Sequence, residues 1–131
     1  LLHLAIILHD LGKGFGRPHA EVGREIAQRI AQRLHLPTPQ GEVVIQLVHQ
    51  HLEMAHIAFR RDISDPETLV QFAHKVGTPD VLRMLYVLTA ADITAVGPTA
   101  WTDWKAELLT GLFQQAMVIL GGKHYGVHER E

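Results

Sequence analysis

The sequence contains no cysteine, which excludes disulfide scaffolds and thiolate metal sites. A reducing compartment suits such a chain, and we expect a cytoplasmic protein. Long apolar runs are also missing, because the run at residues 1–8 is interrupted by His3 and closed by His9 and Asp10. A bilayer-spanning helix needs about 20 apolar residues, and a signal peptide needs a basic flank. The sequence therefore predicts a soluble protein with no membrane partner.

Charge of one sign is scarce as well. Twelve Lys and Arg residues oppose 14 Asp and Glu residues, for a formal net charge of −2. The basic residues are dispersed, which argues against nucleic acid as a partner. A length of 131 residues suits one domain with its own core. Because Leu1 lies inside an apolar run, we expect residues 1–131 to be a single domain cut from a longer multidomain chain.

Apolar residues recur every three or four positions along most of the chain, which is the period of amphipathic helices. One stripe comprises Val22, Ile26, Ile30 and Leu34, and the next comprises Val44, Leu47, Val48, His51 and Ala55. A later helix is predicted to bury Trp104 and Leu112 and to end before Gly121 and Gly122, with residues 123–131 frayed. No segment shows the alternation of a strand. We predict an all-α bundle of about six helices.

Polar residues before prolines predict where helices begin. Thr38, Asp65 and Thr78 each precede a proline, so each side chain is expected to cap the helix that the proline starts. Gly77 is expected to end the helix that follows Asp65.

Histidine is abundant, with ten residues, and imidazole is the commonest protein ligand for first-row transition metals. His9 and Asp10 end an apolar helix. Adjacent residues on a helix diverge by roughly 100°, so both reach one cation only if it lies off the helix end and other helices supply further ligands. The alternative is an ordinary polar helix terminus.

Two more histidines are candidate ligands. His51 lies on an apolar stripe, whereas His49 points about 200° away, so His51 is the better candidate. The alternative for His51 is a core histidine bonded to a backbone carbonyl. His19 opens a helix just after a glycine-rich turn and can face the group that His9 and Asp10 hold. Its alternative is a plain residue at a helix start.

Asp92 shares a helix face with Leu85 and Leu88. A carboxylate turned into a core is costly unless a cation or several donors compensate, so Asp92 is a further candidate ligand, the alternative being a capping or salt-bridged aspartate. A mixture of His and Asp is typical of Zn, Mn or Fe. Two cations bridged by one aspartate would make a bound water acidic and neutralise a phosphoryl oxygen.

Three basic residues are candidate substrate contacts. Lys13 stands in a turn with three glycines, where its ammonium can stabilise a phosphate in the transition state, although the spacing is no Walker motif. Arg60 and Arg61 can contact an anionic leaving group or a neighbouring domain. For all three, the alternative is a solvated side chain.

These residues lie in motifs that resemble the HD superfamily of metal-dependent phosphohydrolases, and in particular the HD domain of bifunctional uridylyltransferase/uridylyl-removing enzymes. The motifs are LHDLGKG at residues 8–14, His19, His51, RRDISDP at residues 60–66 and AADITAVGP at residues 90–98. The resemblance covers nearly the whole chain.

The resemblance implies hydrolysis of the phosphodiester that joins UMP to a tyrosine of the PII nitrogen-regulatory protein, with Mn or Mg as the metal. It implies His9, Asp10 and Asp92 as metal ligands, and His19 and His51 near a second cation or the phosphate. Asp10 and Lys13 would be catalytic, Lys13 by stabilising the phosphoryl charge. Neighbouring nucleotidyltransferase and small-molecule-sensing domains are implied for the full chain.

HD proteins also take a metal histidine from a helix upstream of the His-Asp pair. His3 lies on another face than His9, so we expect weak metal binding and weak activity in these residues alone. Two other functions stay open. One is hydrolysis of a free nucleotide such as guanosine tetraphosphate. The other is a catalytically silent regulatory module, although such a module would more simply carry Leu or Val at His51 and Asp92.

Overall fold

The computed structural model describes residues 1–128, with side chains described as far as residue 121. Within this range the chain forms helices and no strand, which confirms the all-α prediction. The helices are α1 (Leu2–Leu8), α2 (His19–Arg33), α3 (Thr38–Gln50), α4 (Glu53–Arg60), α5 (Pro66–Val76), α6 (Pro79–Val96) and α7 (Asp103–His128). About six helices were expected, and seven occur because the stripe predicted through Ala55 breaks after Gln50 into α3 and α4. Among the described residues, no helix has the length and apolar character needed to cross a membrane.

The chain divides into two compact units, Leu1–Glu53 and the residues from Met54 onward. In the first unit, α1 and α2 both pack against α3. Its core comprises Leu8, Ala27, Val44 and Val48, with Leu4, Ile30 and Ile45 packed around them. The first unit contains four of the candidate metal ligands, His9, Asp10, His19 and His51.

The buried face of α2 differs from the predicted stripe. Leu34 leaves 55% of its surface exposed, whereas Gly23, Ala27 and Ala31, each four residues apart, are buried. A Cβ at Gly41 of α3 would meet the Cβ of Ala31 at 3.5 Å. Small residues therefore line the α2–α3 contact and let the two helices lie close together, which apolar periodicity did not predict.

At Gly12 the backbone passes very close to the start of α2. A Cβ at this position would overlap the carbonyl oxygen of His19 and lie 2.5 Å from the amide nitrogen of Gly23. A Cβ at Gly23 would in turn lie 3.1 Å from Cγ1 of Val48 on α3. The turn after α1 thus lies directly against the first turns of α2, and only a residue without a side chain fits there.

In the second unit, α5 and α6 pack against α7. The cap predictions for α5 and α6 are confirmed, because Asp65 accepts a hydrogen bond from the amide of Glu67 and Thr78 accepts one from the amide of Val81. Gly77 ends α5 with φ of 88°, as predicted. The cap prediction for Thr38 is wrong, since α3 begins at Thr38 itself and no side chain caps it.

The prediction for the last helix is wrong in two respects. Helix α7 continues through Gly121 to His128, so residues 123–128 are helical rather than frayed, and residues 129–131 lie outside the described part. Leu112 is buried as predicted, but Trp104 on the first turn of α7 leaves 60% of its surface exposed.

We expect Gly12→Ala to lower the free energy of unfolding by about 1–3 kcal/mol, because the added methyl group overlaps backbone atoms that cannot rotate away. Urea denaturation followed by circular dichroism measures this change. Gly41→Ala is the matched control in α3. Its methyl group meets only an ordinary contact, and an alanine inside a helix is about 0.5–1 kcal/mol more favourable than a glycine. Equal unfolding midpoints for the two variants would contradict the close approach at Gly12.

Candidate metal centre

His9 and His51 occupy the same position relative to a helix. Each is the first residue after its helix, α1 or α3, and their backbone angles agree closely, with φ −59° and ψ −30° at His9 and φ −60° and ψ −23° at His51. Nδ1 of His9 lies 2.6 Å from the carbonyl oxygen of Ile6, and Nδ1 of His51 lies 2.6 Å from that of Val48. A carbonyl oxygen only accepts, so each Nδ1 carries a proton and donates, and Nε2 is the ring atom that can bind a cation.

Both Nε2 atoms face the carboxylate of Asp10. Nε2 of His9 lies 3.2 Å from Oδ2 of Asp10, and Nε2 of His51 lies 3.9 Å from Oδ1. The two imidazole rings meet edge to face, with their centroids 5.2 Å apart. A nitrogen lone pair and a carboxylate oxygen repel each other unless a proton or a metal cation lies between them. The arrangement is therefore one that a cation stabilises.

His19 adds a third imidazole from the start of α2. Its ring centroid lies 5.4 Å from that of His51. Its Nε2 is buried and has no hydrogen-bond partner among the described residues, which is a cost that a bound cation would relieve. One ligand atom each from Asp10, His19 and His51 lie within 4.8 Å of one another. Opposite ligands of one cation stand about 4 Å apart, given metal bonds of about 2 Å, so the three residues fit a divalent cation.

His9, Asp10, Lys13, His19 and His51 form one cluster, and the exposed fraction of the side chain differs widely among four of them. The side chain of His51 is fully buried, that of His9 is 14% exposed, that of Asp10 is 39% exposed and that of Lys13 is 61% exposed. The cluster therefore has a closed floor at His51 and an open side at Lys13. Of these four side chains, Lys13 is the most accessible to a molecule from solution.

Lys13 and the imidazoles control the charge of Asp10. Partial burial raises the pKa of Asp10, but the hydrogen bond from Lys13 and the nearby charges of His9, Lys13 and His51 outweigh burial and hold the pKa below its ordinary value of 3.8. Nζ of Lys13 lies 3.1 Å from Oδ2 of Asp10. Asp10 is thus a carboxylate at neutral pH, which is the state that a metal ligand needs.

The first unit brings five of the predicted site residues together: His9, Asp10, Lys13, His19 and His51. His49, which was not expected to be a ligand, is exposed. The other three site residues belong to the second unit. Asp92 is half-buried on α6, Arg60 is exposed at the end of α4, and Arg61 is exposed just after it. The roles of all eight residues stay predictions.

Two residues that shape the cluster were not singled out from the sequence. In the sequence, Gly12 is one of three glycines in a turn, and Gly23 lies inside a predicted amphipathic helix. Gly23 did carry a signal, because a glycine inside an amphipathic helix costs about 1 kcal/mol relative to alanine and usually marks a close contact. No comparable signal separates Gly12 from Gly14 or Gly16.

The HD domain family model matches residues 1–93 of this chain. Curated relatives named bifunctional uridylyltransferase/uridylyl-removing enzyme include those of Zymomonas mobilis (46% identity, 87% of this chain), Azospirillum brasilense (42%, 92% of this chain) and Bordetella parapertussis (42%, 98% of this chain). The aligned part is only 12%, 13% and 15% of those relatives' own lengths. No solved structure matches significantly. On the match over residues 1–93, which includes every ligand of the cluster, the chain belongs to the HD domain family.

Proposed function

We propose that this chain is a metal-dependent phosphodiester hydrolase that removes UMP from a uridylylated tyrosine of the PII protein. The observation that carries the proposal is the convergence of Asp10, His19 and His51 within 4.8 Å. A metal-binding histidine almost always donates its other ring N–H to a fixed acceptor. His9 and His51 both donate to backbone carbonyls in this way. A core histidine would make the same bond, so it is the convergence with Asp10 and His19 that favours the metal role.

The residues of the cluster would hold a divalent cation. Imidazole and carboxylate together suit Mn, Zn or Fe, and the carboxylate also suits Mg. We assign His9 and Asp10 as ligands, and we assign His19 and His51 to a second cation or to the phosphate. Asp92 is included as a ligand on sequence grounds alone. When bound, a cation of this kind supplies Lewis-acid stabilisation of the phosphoryl oxygens and activates water.

Lys13 and Asp10 have distinct parts in the proposed reaction. Because its pKa is lowered, Asp10 stays deprotonated and serves as an acceptor rather than as a proton donor. Lys13 stands at the open side with its ammonium 3.1 Å from Asp10. The same ammonium can bind a phosphoryl oxygen there and stabilise the negative charge that grows on it in the transition state.

The choice of substrate is supported by the printed names of the relatives, which describe uridylyl removal. Arg60 and Arg61 are proposed contacts of the anionic leaving group, since both are exposed and carry fixed positive charge. The family match over residues 1–93 includes residues of both units, which supports treating the chain as one HD-type domain. Neighbouring nucleotidyltransferase and sensing domains are proposed for the full protein.

Asp10→Asn is expected to weaken Mn²⁺ binding at least tenfold, because it removes the only negative charge among the ligands in the first unit while keeping the shape of the side chain. Isothermal titration calorimetry on the full-length protein measures the change. Asp80→Asn is the matched control, because Asp80 is highly exposed and its carboxylate is bound by Arg83. Equal losses in both variants would contradict the metal centre, and Asp92→Asn tests the ligand inferred from sequence in the same assay.

Lys13→Met is expected to lower kcat about 100- to 1000-fold, the usual cost of removing one donor to a transition-state oxyanion. Mn²⁺ affinity should not fall, since the variant removes a positive charge beside Asp10. Lys13→Arg keeps the charge and should retain most of the activity, and Lys105→Met is the control for a lysine outside the cluster. A loss of metal affinity that parallels the loss of kcat would show instead that Lys13 supports the ligands.

The substrate is tested by offering the Mn²⁺-loaded full-length protein uridylylated PII, guanosine tetraphosphate and free UMP in parallel. Release of UMP from PII, with little turnover of the other two, is the expected result. Turnover of guanosine tetraphosphate alone would establish the free-nucleotide alternative. Metal binding without turnover of any of the three would point to the regulatory module.

A further inference from the structure

Phe15 leaves 61% of its surface exposed. It lies two residues after Lys13 on the turn that follows α1, so the Cα atoms of the two residues are at most about 7 Å apart. Phe15 is not among the residues that form the core of the first unit. Its place beside the open side of the cluster points to a contact with something that enters there.

Both ends of the turn are anchored. At one end, Nζ of Lys13 lies 3.1 Å from Asp10, and the amide of Lys13 donates to the carbonyl oxygen of Asp10 at 3.1 Å. At the other end, the guanidinium of Arg17 makes two hydrogen bonds to the carboxylate of Glu25 on α2, at 2.9 and 3.3 Å. Two parallel bonds of this kind fix geometry as well as distance. Phe15 is therefore held at the tip of a tethered turn.

The flanking glycines keep the space around the tip open. Gly14 and Gly16 have φ of 88° and 70°, values that glycine adopts at no steric cost. A Cβ at either position would meet nothing within 4 Å. Neither neighbour of Phe15 therefore has a side chain that could cover its ring, and the space at both glycines is open.

We propose that Phe15 is a specificity-determining residue that stacks on the nucleobase of the substrate. The proposal rests on the hydrolase function proposed above. A nucleotidyl group carries a phosphate and, one ribose away, a flat aromatic base, and the first unit offers a phosphate-binding cluster and an exposed aromatic ring in the same order. Stacking on an aromatic side chain is tolerant of base identity, so the ring would recognise a base as such.

Two diesters with the same leaving group test this assignment in the Mn²⁺-loaded full-length protein. One is the p-nitrophenyl ester of UMP, and the other is methyl p-nitrophenyl phosphate, which has no base. Phe15→Ala is expected to raise KM for the UMP ester about tenfold, the usual size of one base–aromatic stack, with kcat unchanged. KM for the methyl diester should not change. Equal changes for both diesters would place the ring on the leaving-group side and overturn the proposal, as would no change for either.

Three further variants separate stacking from a general apolar or structural effect. Phe15→Trp keeps a flat ring and should retain the low KM, whereas Phe15→Leu keeps only apolar volume and should behave as Phe15→Ala does. Leu34→Ala removes a comparably exposed apolar side chain at the end of α2, 55% exposed, and should change neither KM. A low KM in Phe15→Leu would show that planarity is irrelevant and would overturn the stack.

A binding measurement keeps this proposal distinct from the proposed hydrolysis. Calorimetry with UMP and with inorganic phosphate is carried out on wild type and Phe15→Ala. UMP affinity should fall about tenfold in the variant, while phosphate affinity stays the same. If the wild type releases no UMP from uridylylated PII, the proposed function fails while this measurement still decides the role of Phe15. If UMP binds equally to both proteins, the stacking role fails whatever the hydrolysis assays show.

Discussion

At Gly12 the chain that leaves α1 touches the first turn of α2, backbone against backbone. The positions of the imidazoles follow from this contact. His9 and Asp10 lie just before Gly12, and the carbonyl of His19 is the group that a side chain at Gly12 would strike. Gly23, one turn further along α2, carries the close packing to Val48 of α3, three residues before His51. The distances between the candidate ligands thus depend on glycine, rather than a residue with a side chain, at positions 12 and 23.

The close packing of the cluster also determines the charge state of Asp10. Burial raises the pKa of Asp10, but the hydrogen bond from Lys13 and the nearby charges of His9, Lys13 and His51 keep the pKa low. The most buried member, His51, is bonded to its own helix. The charged members lie where water can reach them, which lowers the cost of assembling them. The site therefore excludes water at His51 and is open to solvent at Lys13.

Much of this organisation could be predicted from the sequence, since helix period and capping chemistry act locally. The preference for His51 over His49 followed from periodicity alone, and Asp65 and Thr78 cap their helices as expected. The buried face of α2 could not be predicted in this way, because large apolar residues dominate a periodic pattern whereas small ones decide how close two helices come. For that reason Leu34 was predicted to lie on the buried face, whereas the structure shows it exposed.

The repeated bond between an imidazole and the carbonyl three residues earlier has a consequence for the chain's dynamics. The last carbonyls of a helix have no partner inside the helix, and at Ile6 and Val48 the histidine ring satisfies one of them. A bond within a single helical turn therefore helps to fix the orientation of each ring. Fraying of that turn would rotate the ring away, so ligand geometry and helix length are thermodynamically linked. A ligand bound to Nε2 of His9 or of His51 would therefore stabilise the end of α1 or of α3, and slower amide exchange in that turn would be the sign of it.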